Sequence, residues 1–162
     1  MGMRYLLIAV MLFSMPVVAE EGSGEGMAMK SFESAQYYFG GEMGKRIEAN
    51  LENWLLRAPD ANPGLLEMFD RRDRHLPYAE PVPWAGEFAG KYLISAVQAL
   101  RITGDERLRT LLESFVGRLM AAQDADGYLG PWPTKERLLS HWDLWGHYHV
   151  MLGLLLWHDL TG

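Results

Sequence analysis

At 162 residues, 49% apolar and 22% charged, the chain has the length and make-up of one modest globular domain. Its formal net charge of −6 argues against a surface built for nucleic-acid phosphates. It has no Cys, which excludes disulfides, a lipid-bearing Cys, a Cys nucleophile and thiolate metal ligands from this segment.

Residues 1–19 have the pattern of a secretory signal peptide. Arg4 supplies the positive start, Tyr5 to Met15 an apolar stretch too short to span a bilayer, and Val17-Val18-Ala19 the small residues near a cleavage site. Cleavage removes only Arg4 among the charged residues, so −6 becomes −7. The expected location is secreted or periplasmic, with no membrane attachment after cleavage. Residues 20–30 are Gly-rich and acidic without periodicity, the pattern of a flexible lead-in.

From residue 41 to 56, Met43, Ile47, Leu51, Trp54 and Leu55 fall at helical spacing. The run Ala58-Pro-Asp-Ala-Asn-Pro-Gly64 ends that helix, and Leu65 to Phe69 has room for one turn. Arg71-Arg72-Asp73-Arg74-His75 has the pattern of a solvated loop, and Pro77, Pro81 and Pro83 keep the next stretch extended. A helix is expected over 84–103, with Gly104 at its left-handed C-terminal position. Asp105 then caps a helix over 106–123 with a continuous apolar stripe. The connection is so short that the two helices form an antiparallel hairpin. Residues 124–135 form a loop. The last helix starts between Glu136 and Asp143 and runs to Leu160, apolar nearly all round in its second half, which marks an inner helix. No strand pattern is present.

A repeat underlies these elements. Gly90-Lys91-Tyr92 leads through an apolar helix to Thr103-Gly104, and Gly146-His147-Tyr148 leads through another to Thr161-Gly162. The starts lie 56 residues apart and the ends 58. That period holds two helices and their loops, so the chain reads as all-α, made of stacked antiparallel helix pairs. The second copy stops after its first helix, and the missing partner implies a truncated array.

Several residues have site chemistry. Tyr128 and Trp132 sit on a loop punctuated by Gly and Pro; such rings either cover the C–H face of a sugar or plug the end of the stack. Asp143 and His147 share a helical face, whereas His147 and His149 point roughly 200° apart and do not form a metal clamp. His149 shares its side with Trp142 and Trp145. Glu87, three residues past Trp84, favours a helix N-terminus and is placed to pair with Lys91 at i+4. His75, His141 and His158 have no evident partners. There is no phosphate-binding Gly loop, nucleophile elbow or zinc-protease motif.

Trp84-x-x-Glu87-x-x-Gly90-Lys91-Tyr92, Gln123-x-x-Asp126-Gly127-Tyr128-Leu129, Trp142 through His149 and Leu160-Thr161-Gly162 follow one another in an order and spacing that resemble the β-L-arabinofuranosidase-like glycoside hydrolases over residues 31–162. The resemblance implies the N-terminal part of an (α/α)₆ toroid and retaining hydrolysis of arabinofuranosides in plant-type or other complex glycans. It implies a zinc-bound Cys nucleophile and a Glu acid/base in the full-length protein. None of these falls within this chain, so no catalytic residue is assigned here and the polypeptide alone is expected to be inactive. The implied partners are a carbohydrate substrate and the missing C-terminal half of its own toroid. Counting back from Thr161-Gly162 puts His149 on the family's substrate-binding His, and Asp143 on the acidic position of its His-Glu-Leu-Tyr segment. Trp142 and Trp145 replace the His and Tyr of that segment, a departure that bears on sugar specificity. The expected substrate-binding residues are therefore His149, Trp142, Asp143, Trp145, Glu87, Trp84 and Tyr128. Two other readings stay open: a non-catalytic helical fragment that binds sugar or partner helices, and another toroid enzyme such as an epimerase or uronyl hydrolase.

Overall fold

The computed structural model describes residues 37–72 and 82–162. The leader at 1–19, the lead-in at 20–30, Asp73 to His75, Pro77 and Pro81 lie outside the described residues. Among the described residues every regular element is helical: α1 Gly41–Asn50, α2 Ala58–Ala61, α3 Gly64–Arg71, α4 Glu87–Thr103, α5 Glu106–Ala121 and α6 Asp143–Thr161. No helix among them is long and apolar enough to cross a membrane.

The first helix continues past α1 as a wider π-helical turn over Leu51–Leu55, with Leu56 N–H donating to Leu51 O at 3.0 Å. Tyr92 OH, buried on α4, donates to Leu55 O at 2.8 Å, satisfying a carbonyl at the end of that turn. The expected breaker at 58–64 contains one helical turn, α2, because Pro59 lies in its first turn, where a missing N–H costs nothing. The single turn expected at 65–69 is longer, as α3. Helix α4 starts at Glu87 rather than Trp84, because Gly86 at φ +96° is outside the helical region.

The hairpin forms as its punctuation dictates. Gly104 sits at φ +62°, and the Asp105 carboxylate accepts from the N–H groups of Arg107 and Leu108. Tyr92 of α4 and Phe115 of α5 pack with centroids 4.9 Å apart. The core joins Leu55, Phe69, Leu93, Val97, Leu112 and Leu119, drawn from the first helix and α3 to α5.

The main neighbour of α6 is α4. The two run parallel: Gly90 meets His149 and Val150, Leu93 meets Gly153, and Arg101 Nη2 donates to Leu156 O at 3.3 Å. Parallel first helices, each from its own repeat, are what a stack of helix pairs requires. The second half of α6 is apolar and only partly covered. Its buried residues end at Gly153, while Leu144, Met151 and Leu155 are each more than half exposed on the side away from α4. At Arg72, the described end of the charge run, the structure departs from the solvated-loop expectation. The Arg72 side chain is largely buried and donates to Ala122 O at 2.6 Å, tying α3 to the end of α5.

Candidate functional site

Three polar or charged residues are buried among the described residues: Glu87, Asp143 and His149. All three are expected site residues, and the fold separates them into two groups on opposite flanks of α6. Asp143 and Trp145 lie two residues apart, so their side chains leave the helix about 160° apart.

The first group forms an aromatic corner where the start of α4 meets α6. Glu87 Oε2 accepts from Trp145 Nε1 at 2.5 Å, and Glu87 Oε1 pairs with Lys91 Nζ at 3.0 Å. The expected i,i+4 pair is therefore present, and both carboxylate oxygens are engaged. Glu87 fixes the plane of an indole that is nearly half exposed. Lys91 Nζ also lies 6.0 Å from the Trp145 ring. His149 packs its edge against Trp145 at 4.5 Å and against Tyr148 at 5.1 Å. Its Nδ1 is held by Trp145 O at 2.9 Å, leaving Nε2 as the nitrogen for a ligand. Trp142 and Trp84, both exposed, lean together with centroids 6.3 Å apart. Trp142 N–H donates to Pro83 O at 2.9 Å, which anchors the approach to α6.

The second group is a closed network. The Asp143 carboxylate accepts from Leu138 N–H at 2.6 Å, Tyr128 OH at 3.0 Å and His147 Nδ1 at 3.1 Å. Burial pushes its pKa up, but the His147, Leu138 and Tyr128 hydrogen bonds outweigh burial and hold it below the usual carboxylate range. The same hydrogen bond to Asp143 holds His147 above the ordinary imidazole value, against the effect of burial. Burial also raises Tyr128, so its phenol stays protonated and donates. Leu138 and His141 both have positive φ, 67° and 52°, and Asp143 grips the strained connection at Leu138.

Sequence reasoning missed the residues that lock this flank. The Arg137 guanidinium lies 4.1 Å above the Tyr128 ring and pairs with Asp124 at 2.6 Å and Asp126 at 2.9 Å. His141, without an evident partner in the sequence, stacks on Trp132 at 4.0 Å and 7° and approaches Glu136 at 3.4 Å. Trp132 is fully buried and Tyr128 nearly so, and both pack with Ala85. The signals for these contacts were single charges and rings with no periodicity to connect them.

The described residues do not assemble a site for the zinc that the resemblance implies. There is no Cys in the sequence, and no group of three or more His, Asp or Glu is placed to hold a metal among the described residues. What the aromatic corner offers is recognition chemistry: a flat apolar face, a fixed imidazole nitrogen and a balanced carboxylate–ammonium pair. Apolar faces with a few oriented polar groups suit a ring edged by hydroxyls.

Residues 29–162 match the family model described as beta-L-arabinofuranosidase, GH127 catalytic domain. No curated protein and no solved structure matches the chain. The family match spans most of the sequence and agrees with the all-helical architecture and the motif order, and the chain belongs to the GH127 β-L-arabinofuranosidase catalytic-domain family of glycoside hydrolases.

Proposed function

We propose that the chain is the sugar-binding N-terminal part of an exported glycoside hydrolase acting on arabinofuranoside-type units of complex glycans. The observation that carries this reading is the aromatic corner: an exposed Trp145 indole fixed by buried Glu87, with buried His149 beside it. A sugar ring lies with its C–H face on Trp145 and a hydroxyl at His149 Nε2. Glu87 acts as a positioning residue, because both of its oxygens already have partners. The leader-like residues 1–19 support export.

The test is binding of a methyl arabinofuranoside by titration calorimetry. His149→Ala loses one hydrogen bond to a hydroxyl, worth about 0.5 to 1.5 kcal/mol, or roughly two- to tenfold in affinity. His147→Gln leaves affinity within about twofold, since His147 faces the Asp143 network. If the His147 variant is the weaker binder, the sugar sits on the other flank and the assignment falls.

We further propose that Leu144, Met151 and Leu155 are covered by a later helix of the same toroid. Their spacing forms one stripe on α6, opposite the face that α4 covers. Alone, the chain is expected to bind a hydrophobic dye strongly and to self-associate, and Leu144→Glu with Leu155→Lys reduces both. A wild-type monomer that melts sharply and leaves the dye dark contradicts this.

A further inference from the structure

Gly86 is the joint at which the chain enters α4. Its φ of +96° is left-handed, and a Cβ there would stand 2.9 Å from Pro131 Cδ. Its N–H has an unusual acceptor, donating to Met68 Sδ of α3 at 3.1 Å. The next residue, Glu87, opens α4, and its own N–H reaches Trp84 O at only 3.4 Å. Glu87 in turn holds the Trp145 indole N–H. A thioether therefore heads a relay of contacts, from Met68 to Gly86, Glu87 and Trp145, that ends on an exposed ring.

Met68 is partly buried against the cluster of Ala85, Tyr128 and Trp132. Met43, Met120 and Met151, on α1, α5 and α6, are each more than half exposed. Peroxide converts a thioether to a sulfoxide, which is polar and reducible. The chain has no Cys thiol to compete for the oxidant. An oxygen placed on the sulfur needs about 2.9 Å to Gly86 N alone. That is nearly all of the 3.1 Å now separating sulfur from nitrogen. The sulfur must retreat, or turn its new oxygen into the apolar cluster. Either movement takes the acceptor away from Gly86 N–H.

We propose that Met68 is a reversible oxidation site for peroxide, and that its oxidation releases the Glu87–Trp145 contact. A sulfur lone pair attacks one oxygen of hydrogen peroxide, so an S–O bond forms as the O–O bond breaks. The leaving hydroxide takes the remaining proton and departs as water. Sulfur is oxidised by two electrons and peroxide is reduced. Met68 is a positioning residue, acting on Trp145 through Gly86 and Glu87.

Nuclear magnetic resonance on the full chain tests this through the Trp145 Nε1–H resonance, identified by its loss in Trp145→Phe. No sugar is needed, so failure here is separate from failure of the carbohydrate reading. Hydrogen peroxide is added while peptide mass spectrometry follows each methionine. Met43, Met120 and Met151 are expected to oxidise first and to leave the resonance in place. A second, upfield Trp145 resonance then grows in proportion to oxidised Met68, while the Trp54 and Trp157 indoles hold their positions. Methionine sulfoxide reductases A and B with dithiothreitol restore the original. Met68→Leu, without a sulfur, starts upfield and ignores peroxide. An unmoved wild-type resonance after full Met68 oxidation overturns the proposal. So does a Met68→Leu resonance at the wild-type position, or one that responds to peroxide. Joint loss of every indole resonance marks unfolding and overturns a local release. A Met68 still unoxidised when the three exposed methionines are fully converted overturns the modification site, and a shift that the reductases leave in place overturns its reversibility.

Discussion

Replacing Gly90 with Ala is expected to prevent α4 and α6 from packing. A Cβ at this position would stand 2.3 Å from the carbonyl carbon of His149 and 2.4 Å from the amide nitrogen of Val150. Both are backbone atoms inside a helix, so no side-chain rotation relieves the overlap. Overpacking typically costs 1 to 3 kcal/mol and more when the backbone must shift, so a loss of about 3 kcal/mol or more is expected. The loss should appear as a lower urea midpoint or as no folding transition at all. Gly146, the counterpart of Gly90 in the repeat, behaves differently. A Cβ there meets its nearest atom at 3.5 Å, an ordinary contact. Gly146→Ala is expected to be neutral or to stabilise α6 by about 0.5 to 1 kcal/mol through helix propensity. Equal midpoints for the two variants would remove close α4–α6 contact as the reason for the glycine.

Asp143→Ala is expected to cost about 3 to 5 kcal/mol, the range for removing one partner of a buried charged network. It leaves Leu138 N–H and Tyr128 OH without their acceptor, removes the charge partner of His147 (whose Nδ1 keeps the Asp143 backbone O at 2.9 Å), and frees the strained connection at Leu138 and His141. The pair also gives stability a pH optimum. Asp143 has a lowered pKa in the folded chain, so its contribution is present above the unfolded value of about 3.9 and is lost as pH falls through the folded value. His147 has a raised pKa, so its contribution is full below the unfolded value of about 6.5 and is lost as pH rises through the folded value. The pair therefore contributes most between about pH 4 and 6.5. Urea midpoints across pH measure this: His147→Gln should flatten the alkaline limb. A wild-type limb that is flat above pH 6.5, or a decline that survives in His147→Gln, contradicts the coupling.

The sequence disclosed whatever repeats or lies close along the chain. Periodicity located α4, α5 and α6, and Gly104-Asp105 located the hairpin, because caps and turns are local chemistry. Spacing of four likewise exposed Glu87 with Lys91, Asp143 with His147, and Trp145 with His149. Contacts across the stack were not legible. The bond from Trp145 to Glu87 joins residues 58 apart, and no local spacing announces that the Glu87 carboxylate is tied to the indole. Arg72 looked solvated because its neighbours in sequence are charged, yet Ala122 O lies 50 residues away and takes its guanidinium. Nothing local to the 124–135 loop shows that Tyr128 lies beside Asp143, on the other flank of α6 from Trp145.

The most direct test of sugar recognition at the aromatic corner is a crystal structure of the chain with an arabinofuranose disaccharide bound at saturating concentration. The expected result is a sugar ring lying face-on to the Trp145 indole, with one hydroxyl within hydrogen-bonding distance of His149 Nε2 and the Glu87 carboxylate still holding Trp145 Nε1. A sugar lodged instead against His147 and Tyr128, or a corner left free of sugar at saturation, contradicts the assignment.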